Sequence, residues 1–125
     1  MGDQTIVAKA GTGREYVMKL LNRKASAYFY NPTYYHVTSD NDLPSNTWFH
    51  YALKVENTVW SIYINGVLVK SVSQPANINW GANNIVIGAL TASGTERFFG
   101  KLDDLLFYGR ALTNNEILAI ANNLY

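Results

Sequence analysis

The sequence predicts an all-β protein, an antiparallel β-sandwich or jelly roll closed by one short C-terminal helix. Three observations carry this prediction. Most of the chain alternates apolar and polar residues with a period of two, which is the pattern of half-buried strands. About nine such stretches follow one another, separated by turn residues, as sandwiches and jelly rolls require. Only at the C-terminus does the apolar spacing change to that of a helix.

Thr5–Lys9 reads as a short strand, and Gly11-Thr12-Gly13 interrupts it. Glu15–Leu21 follows, with Tyr16, Met18 and Leu20 on one face. Asn22-Arg23-Lys24 makes a turn into Ala25–Tyr30, which Asn31-Pro32 stops. Tyr34–Thr38 is aromatic and β-branched, hence another strand. Ser39–Asn46 is polar, contains Pro44, and reads as a loop before a long strand at Thr47–Glu56. Val59–Ile64 and Val67–Val72 flank Asn65-Gly66. A two-residue type I′ turn needs positive φ at both central positions, and Asn-Gly tolerates that best, so these strands form a hairpin. Ser73–Asn84 is a long polar loop with Pro75, Trp80 and Gly81. Ile85–Ala89 is a short apolar strand, Thr91–Glu96 a loop, and Phe98–Tyr108 the last strand. Thr113-Asn114-Asn115-Glu116 fits a capping box, in which the Thr hydroxyl and Glu carboxylate each take an amide at the helix start. Ile117, Ile120, Ala121 and Leu124 then share one helical face. A helix this short persists only when docked on an apolar surface.

The chain has 125 residues, enough for one domain spanning 1–125 with a real core. Ten basic and nine acidic residues leave a formal charge of +1. That charge makes no field to gather nucleic acid or an anionic membrane surface. No apolar run approaches the ~20 residues of a membrane helix, so membrane insertion is not expected. With no cysteine, disulfides, cysteine-based zinc sites and cysteine nucleophiles are excluded. The first residues have neither a basic nor an apolar region of the kind a signal peptide needs.

Three runs carry a resemblance. They are Trp48-Phe49-His50-Tyr51-Ala52-Leu53, then Trp60-Ser61-Ile62-Tyr63-Ile64-Asn65-Gly66-Val67-Leu68-Val69, then Ile85-Val86-Ile87-Gly88. The closing run from Phe99-Gly100-Lys101-Leu102-Asp103-Asp104 to Ala111-Leu112-Thr113-Asn114-Asn115-Glu116-Ile117 sharpens it. Together they resemble the laminin-G-like domains of the concanavalin A-like lectin/glucanase superfamily. The resemblance implies a jelly roll of two antiparallel sheets. It also implies a further strand or two ahead of Gln4–Lys9, where this sequence holds only Met1-Gly2-Asp3. Phe98–Tyr108 is then expected to have an unpaired flank, a hazard for any sheet. A minimal natural version of the fold, a fragment of a larger protein, and a second copy that fills the gap would each account for it. Self-association is the favoured expectation, as a homo-oligomer or a sheet completed by a partner.

Catalysis finds little support. Glycoside hydrolysis needs two carboxylates flanking one bond. Asp103 and Asp104 are adjacent, so on a strand they point to opposite faces. The glucanases of the superfamily carry a clustered run of acids on one strand. Here Glu15, Glu56, Glu96 and Glu116 are isolated. One of the two aspartates is expected to bond backbone in a neighbouring loop, as a buried carboxylate must. His36 and His50 are the only histidines and lie on different strands, too few for a zinc site of three or four ligands.

Asp40, Asn41 and Asp42 form the best candidate calcium loop, since calcium takes several oxygen ligands. The EF-hand spacing is absent, and a solvated turn is the competing reading. Sugars are held by an aromatic face and a few placed polar groups. Trp80 among Asn77, Asn79, Asn83 and Asn84 supplies such a set, and so do Tyr34 and Tyr35 near the Asp40 loop. Plugging the end of the sandwich is the competing role for Trp80. The expected function is a non-catalytic, lectin-like recognition module that binds glycan or a protein surface through its loop rims. Its expected setting is outside a cell, at a cell surface or on a virion. The alternatives are an assembly domain of a phage or viral particle or fibre and, with least support, a fragment of a glycoside hydrolase.

Overall fold

A computed structural model describes residues 3–10 and 14–123. The Gly11-Thr12-Gly13 break and Leu124 of the helical face lie outside the described residues. Among the described residues eight strands and one helix are formed: β1 (Asp3–Ala10), β2 (Arg14–Leu21), β3 (Lys24–Tyr30), β4 (Tyr34–Thr38), β5 (Tyr51–Glu56), β6 (Val59–Ile64), β7 (Val67–Ser73), β8 (Ile85–Ile87) and α1 (Asn114–Asn123). They make a five-stranded sheet in the order β4-β3-β2-β1-β8 and a three-stranded sheet in the order β5-β6-β7. All pairings are antiparallel.

Alternation explains the layers. In β3, Ala25, Ala27 and Phe29 point to the inner face, where they meet Trp60 and Ile62 of β6 and Val37 of β4. The Phe29 and Trp60 rings stack at 5.0 Å and 12°, so one aromatic pair bridges the two sheets. Tyr16 and Leu20 of β2 pack at the edge of this core. The intervening residues of β2 and β3 point the other way. Val17 and Tyr28 join Ala8 and Leu90 in a second, smaller cluster on the outer face.

The Asn65-Gly66 turn forms as expected, with φ of 51° and 81°. The capping box is also present: Glu116 N donates to Thr113 Oγ1 at 3.1 Å, and Thr113 N to Glu116 Oε1 at 2.8 Å. Ile117 and Ala121 bury the helix against the sandwich. Asn114 Oδ1 accepts from Tyr63 and Lys54, which ties the helix start to the three-stranded sheet.

Three strands differ from the sequence reading. Thr47–Glu56 is strand only from Tyr51, because its partner β6 turns at Asn65 and leaves nothing opposite the preceding residues. There His50 N donates to Asn65 Oδ1, and Asn65 N to His50 O, closing the hairpin end. Ile85–Ala89 ends at Ile87, since Gly88 turns out of the sheet at φ 83°. The larger correction is Phe98–Tyr108, which forms no strand. Its start is fastened by Phe98 N to Gly88 O and Phe99 N to Gln4 Oε1, each 2.9 Å. Asp104, at φ 53°, breaks the extension, and among the described residues no ladder partner lies alongside.

Candidate ligand-binding site

The outer face of the five-stranded sheet would be a solvated face in an ordinary sandwich. Here it carries buried ionisable groups. Lys19, in β2 and only 6% exposed, projects there between Val17 and Leu21. Its ammonium donates to Asp3 at 2.7 Å and lies 4.8 Å from the centre of the Tyr28 ring. These partners make the burial of a lysine tolerable. The segment following β8 folds back over β1. Thr5 N donates to Glu96 O, the Thr5 hydroxyl to Glu96 Oε1, and Leu90 covers the small outer cluster.

Between this segment and β4 an open cavity of about 290 Å³ remains. Asp3, Arg14, Lys19, Tyr28, Tyr34 and His36 line it, with Leu90 and Glu96. Its size suits one sugar ring or a similar small group. Tyr34 is half exposed and meets Tyr28 edge-on at 5.7 Å and Tyr30 at 5.0 Å. Burial pulls the His36 pKa down, and the nearby Lys19 charge adds to this, so the imidazole is neutral at pH 7 and offers both a donor and an acceptor. Burial raises the Tyr28 phenol, against the opposing effect of Arg14, which bonds it, so it stays a neutral hydroxyl.

Of the residues proposed from the sequence as ligand-binding, only Tyr34 lies in this cavity. Tyr35, its neighbour in β4, points to the inner face and packs on Phe29 at 5.3 Å. One ligand therefore cannot contact both. Trp80 is 64% exposed and meets Tyr16 edge-on at 6.2 Å, at the opposite face of β2. Asn83 has a structural duty: its amide donates to Glu15 Oε2 at 2.9 Å and its carbonyl accepts from Lys9. Asn84 is exposed beside it. The aspartates 103 and 104 are exposed as well. Asp103 Oδ1 accepts from the amide of Asp104 and not from a neighbouring loop, because the segment lies at the surface.

The Asp40–Asp42 turn does not fit a calcium ion. Lys70 donates to Asp40 Oδ1 at 2.9 Å, and Lys24 to the Asp40 carbonyl at 2.6 Å. Lys24 and Arg23 lie 3.5 and 3.9 Å from Asp42. The oxygens are thus turned toward cations of the chain itself. Among the described residues no three acidic, histidine or cysteine side chains converge.

Sequence reasoning missed Asp3, Arg14, Lys19 and Tyr28, and it weighed His36 only as a metal ligand or catalyst and Glu96 only as a catalytic acid. One signal was available. The second face of β2 carries Val17 and Lys19, and a lysine beside Val on the face opposite Tyr16-Met18-Leu20 marks a face with work beyond solvation.

Two antiparallel sheets around an aromatic core, with a polar pocket on one outer face, define a lectin-type β-sandwich. The chain belongs to the concanavalin A-like lectin/glucanases superfamily, whose laminin-G-type family model matches residues 1–118. Its fold is similar to that of CBM40 of the Ruminococcus gnavus IT-sialidase, in a structure bound to alpha2,3 sialyllactose and in a second structure of the same module. Both superpose with a TM-score of 0.79 over 96% of this chain and 74% of the module, at 17% and 18% identity. An S-layer domain-containing protein from Clostridium thermocellum is more distant, with a TM-score of 0.50 at 21% identity, over 96% of this chain and 63% of that one. No curated protein matches the chain. At these identities the likeness is one of fold. Among the described residues no helix is long and apolar enough to cross a membrane.

Proposed function

We propose that this domain is a non-catalytic, lectin-like module that binds glycan in the outer-face pocket. The observation that carries the reading is the convergence of a half-exposed Tyr34 ring with Arg14, Lys19 and a neutral His36 around one ring-sized cavity. An aromatic face takes the apolar side of a sugar, and the surrounding donors and acceptors take its hydroxyls. The pocket carboxylates are engaged in structure. Asp3 pairs with Lys19, and Glu96 accepts from Thr5, so neither stands ready as a general acid. The fold neighbour bound to sialyllactose supports a glycan ligand, and its ligand carries a carboxylate that Arg14 and Lys19 suit. The reading places the domain outside a cell or at a cell or particle surface.

The test is calorimetric titration with alpha2,3 sialyllactose and with lactose, backed by a glycan array. Binding weakens about tenfold or more in Tyr34→Ala and Arg14→Ala, as the loss of one stacking or charged contact implies. Trp80→Ala binds as the unaltered protein does. Silence across the array, or binding indifferent to both pocket substitutions, overturns the reading.

A further inference from the structure

A much larger cavity, about 1840 Å³, opens on the other side of the five-stranded sheet. Its walls are unusual. Every residue of β5 lines it, and so does every residue from Phe98 to Leu112. Successive residues of an extended chain point to opposite faces. A cavity that touches all of them therefore runs along the edge of each segment and not across a face. Among the described residues β5 pairs only with β6, so its second edge is the one that borders this space. Consistently, its residues Tyr51–Val55 are all half-buried, without the alternation of a flanked strand. Ile6, Met18 and Leu20 add apolar surface from the five-stranded sheet.

The dimensions match one strand. A residue of strand occupies roughly 160 Å³ when placed at normal strand and sheet spacings, so the slot has room for about ten to twelve residues. The lining charges nearly balance: Lys9, Lys54, Lys101 and Arg110 against Glu56, Asp103 and Asp104. The slot therefore asks for no net charge in its occupant. A second copy is a poor donor. The most apolar free run, Phe98–Tyr108, is held at its start by Gly88 and Gln4, and just beyond its end by the Arg110–Glu116 pair at 2.6 Å.

We infer that this slot takes an added β-strand from a polypeptide partner, an extended segment of about ten residues with uncharged apolar side chains at alternate positions. Its backbone bonds to the free edge of β5 on one side and to Leu105–Tyr108, beyond the Asp104 break, on the other. Its inward side chains cover Met18 and Leu20, and Phe107 and Tyr108, both 51% exposed, gain a neighbour. The slot shares no residue with the glycan pocket, so the two proposals stand or fall separately.

Amide hydrogen exchange tests it. The probes are ten-residue peptides alternating Thr with Val, Ile or Phe, flanked by Lys for solubility, and the same peptides with Pro at two central positions. With the alternating peptides, the slot-facing amides of Tyr51–Val55, those that do not bond β6, and of Leu105–Tyr108 slow together by at least tenfold, while those of β2 do not change. The Pro peptides give no protection. Leu106→Pro cancels the effect on both segments and leaves β2 protected, which separates a lost edge from a lost fold. Three results overturn the inference. No alternating peptide slows the two segments. The slot-facing amides of both are already protected in dilute free protein, so the chain closes its own slot. Protection grows with protein concentration alone, which makes a second copy the occupant.

Discussion

Glu15 is a carboxylate only 2% exposed, at the irregularity near the start of β2 where the pairing with β1 shifts register. It accepts from Lys9 at 2.8 Å, from Gly81 N at 2.7 Å and from the Asn83 amide at 2.9 Å, while Lys9 also donates to the Gly81 and Asn83 carbonyls. One ion pair thus staples the Trp80 loop onto the β1–β2 end. Burial alone raises the Glu15 pKa, but its hydrogen bonds to Gly81, Lys9 and Asn83 outweigh that, and the net shift is downward from 4.5. A depressed folded pKa contributes stability that is complete above the ordinary carboxylate range and is lost as pH falls through the folded value. Glu15→Gln lowers unfolding stability by roughly 3 kcal/mol near neutral pH, since it leaves Lys9 without its counter-charge. It also flattens the loss of stability below about pH 4.5. Urea titrations across the acid range check both. At the Asp40 turn, calcium in the millimolar range leaves the thermal midpoint unmoved, because Lys70 and Lys24 already hold its oxygens. A rise of several degrees would contradict the ion-paired turn. The sequence pointed to Asn83 as a ligand amide. Its real partner, Glu15, is far away in the chain, and only folding brings the two together.

At the scale of elements, the β6–β7 hairpin was the most readable feature, because Asn-Gly encodes its own turn. Its second role was not readable. A Cβ on Gly66 would lie 2.7 Å from Leu118 Cδ1 and 2.9 Å from Leu118 Cα, so the hairpin and α1 touch through a missing side chain. Gly66→Ala adds strain at φ 81° to that overlap and costs about 2–3 kcal/mol. Leu118→Ala in the same chain recovers part of the loss, since one of the two close atoms belongs to the Leu118 side chain. Chemical denaturation of the single and double variants measures the coupling. Phe98–Tyr108 shows the opposite limit. Its apolar pattern reads as a strand, yet a strand exists only where another backbone lies alongside to take its amides.

For the whole molecule, cooperativity rests on a narrow seam between the sheets. Phe29 and Trp60 are both fully buried and stack across it. Phe29→Ala costs about 4 kcal/mol, by lost burial and the cavity left against Trp60. That is a large share of the 5–15 kcal/mol typical of a domain. The fluorescence of Trp60 and the circular dichroism of the sheets lose their signals in one shared transition at lower urea. Separate transitions would mean that the sheets fold independently.

The sequence by itself determined the fold class, eight of the nine proposed strands with changes at their ends, the hairpin turn and the helix cap. Each of these depends on near neighbours in the chain: alternation along one strand, two residues of a turn, four of a capping box. The tertiary structure alone decided the rest. The outer-face pocket joins Asp3, Lys19, His36 and Glu96 from four distant parts of the chain, and sheet register sets which of their faces coincide. The loss of strand pairing at Phe98–Tyr108 and the slot beside β5 were decided there too. A chain's pattern states what a strand's side chains require, but its backbone hydrogen bonds depend on which neighbour the whole fold supplies.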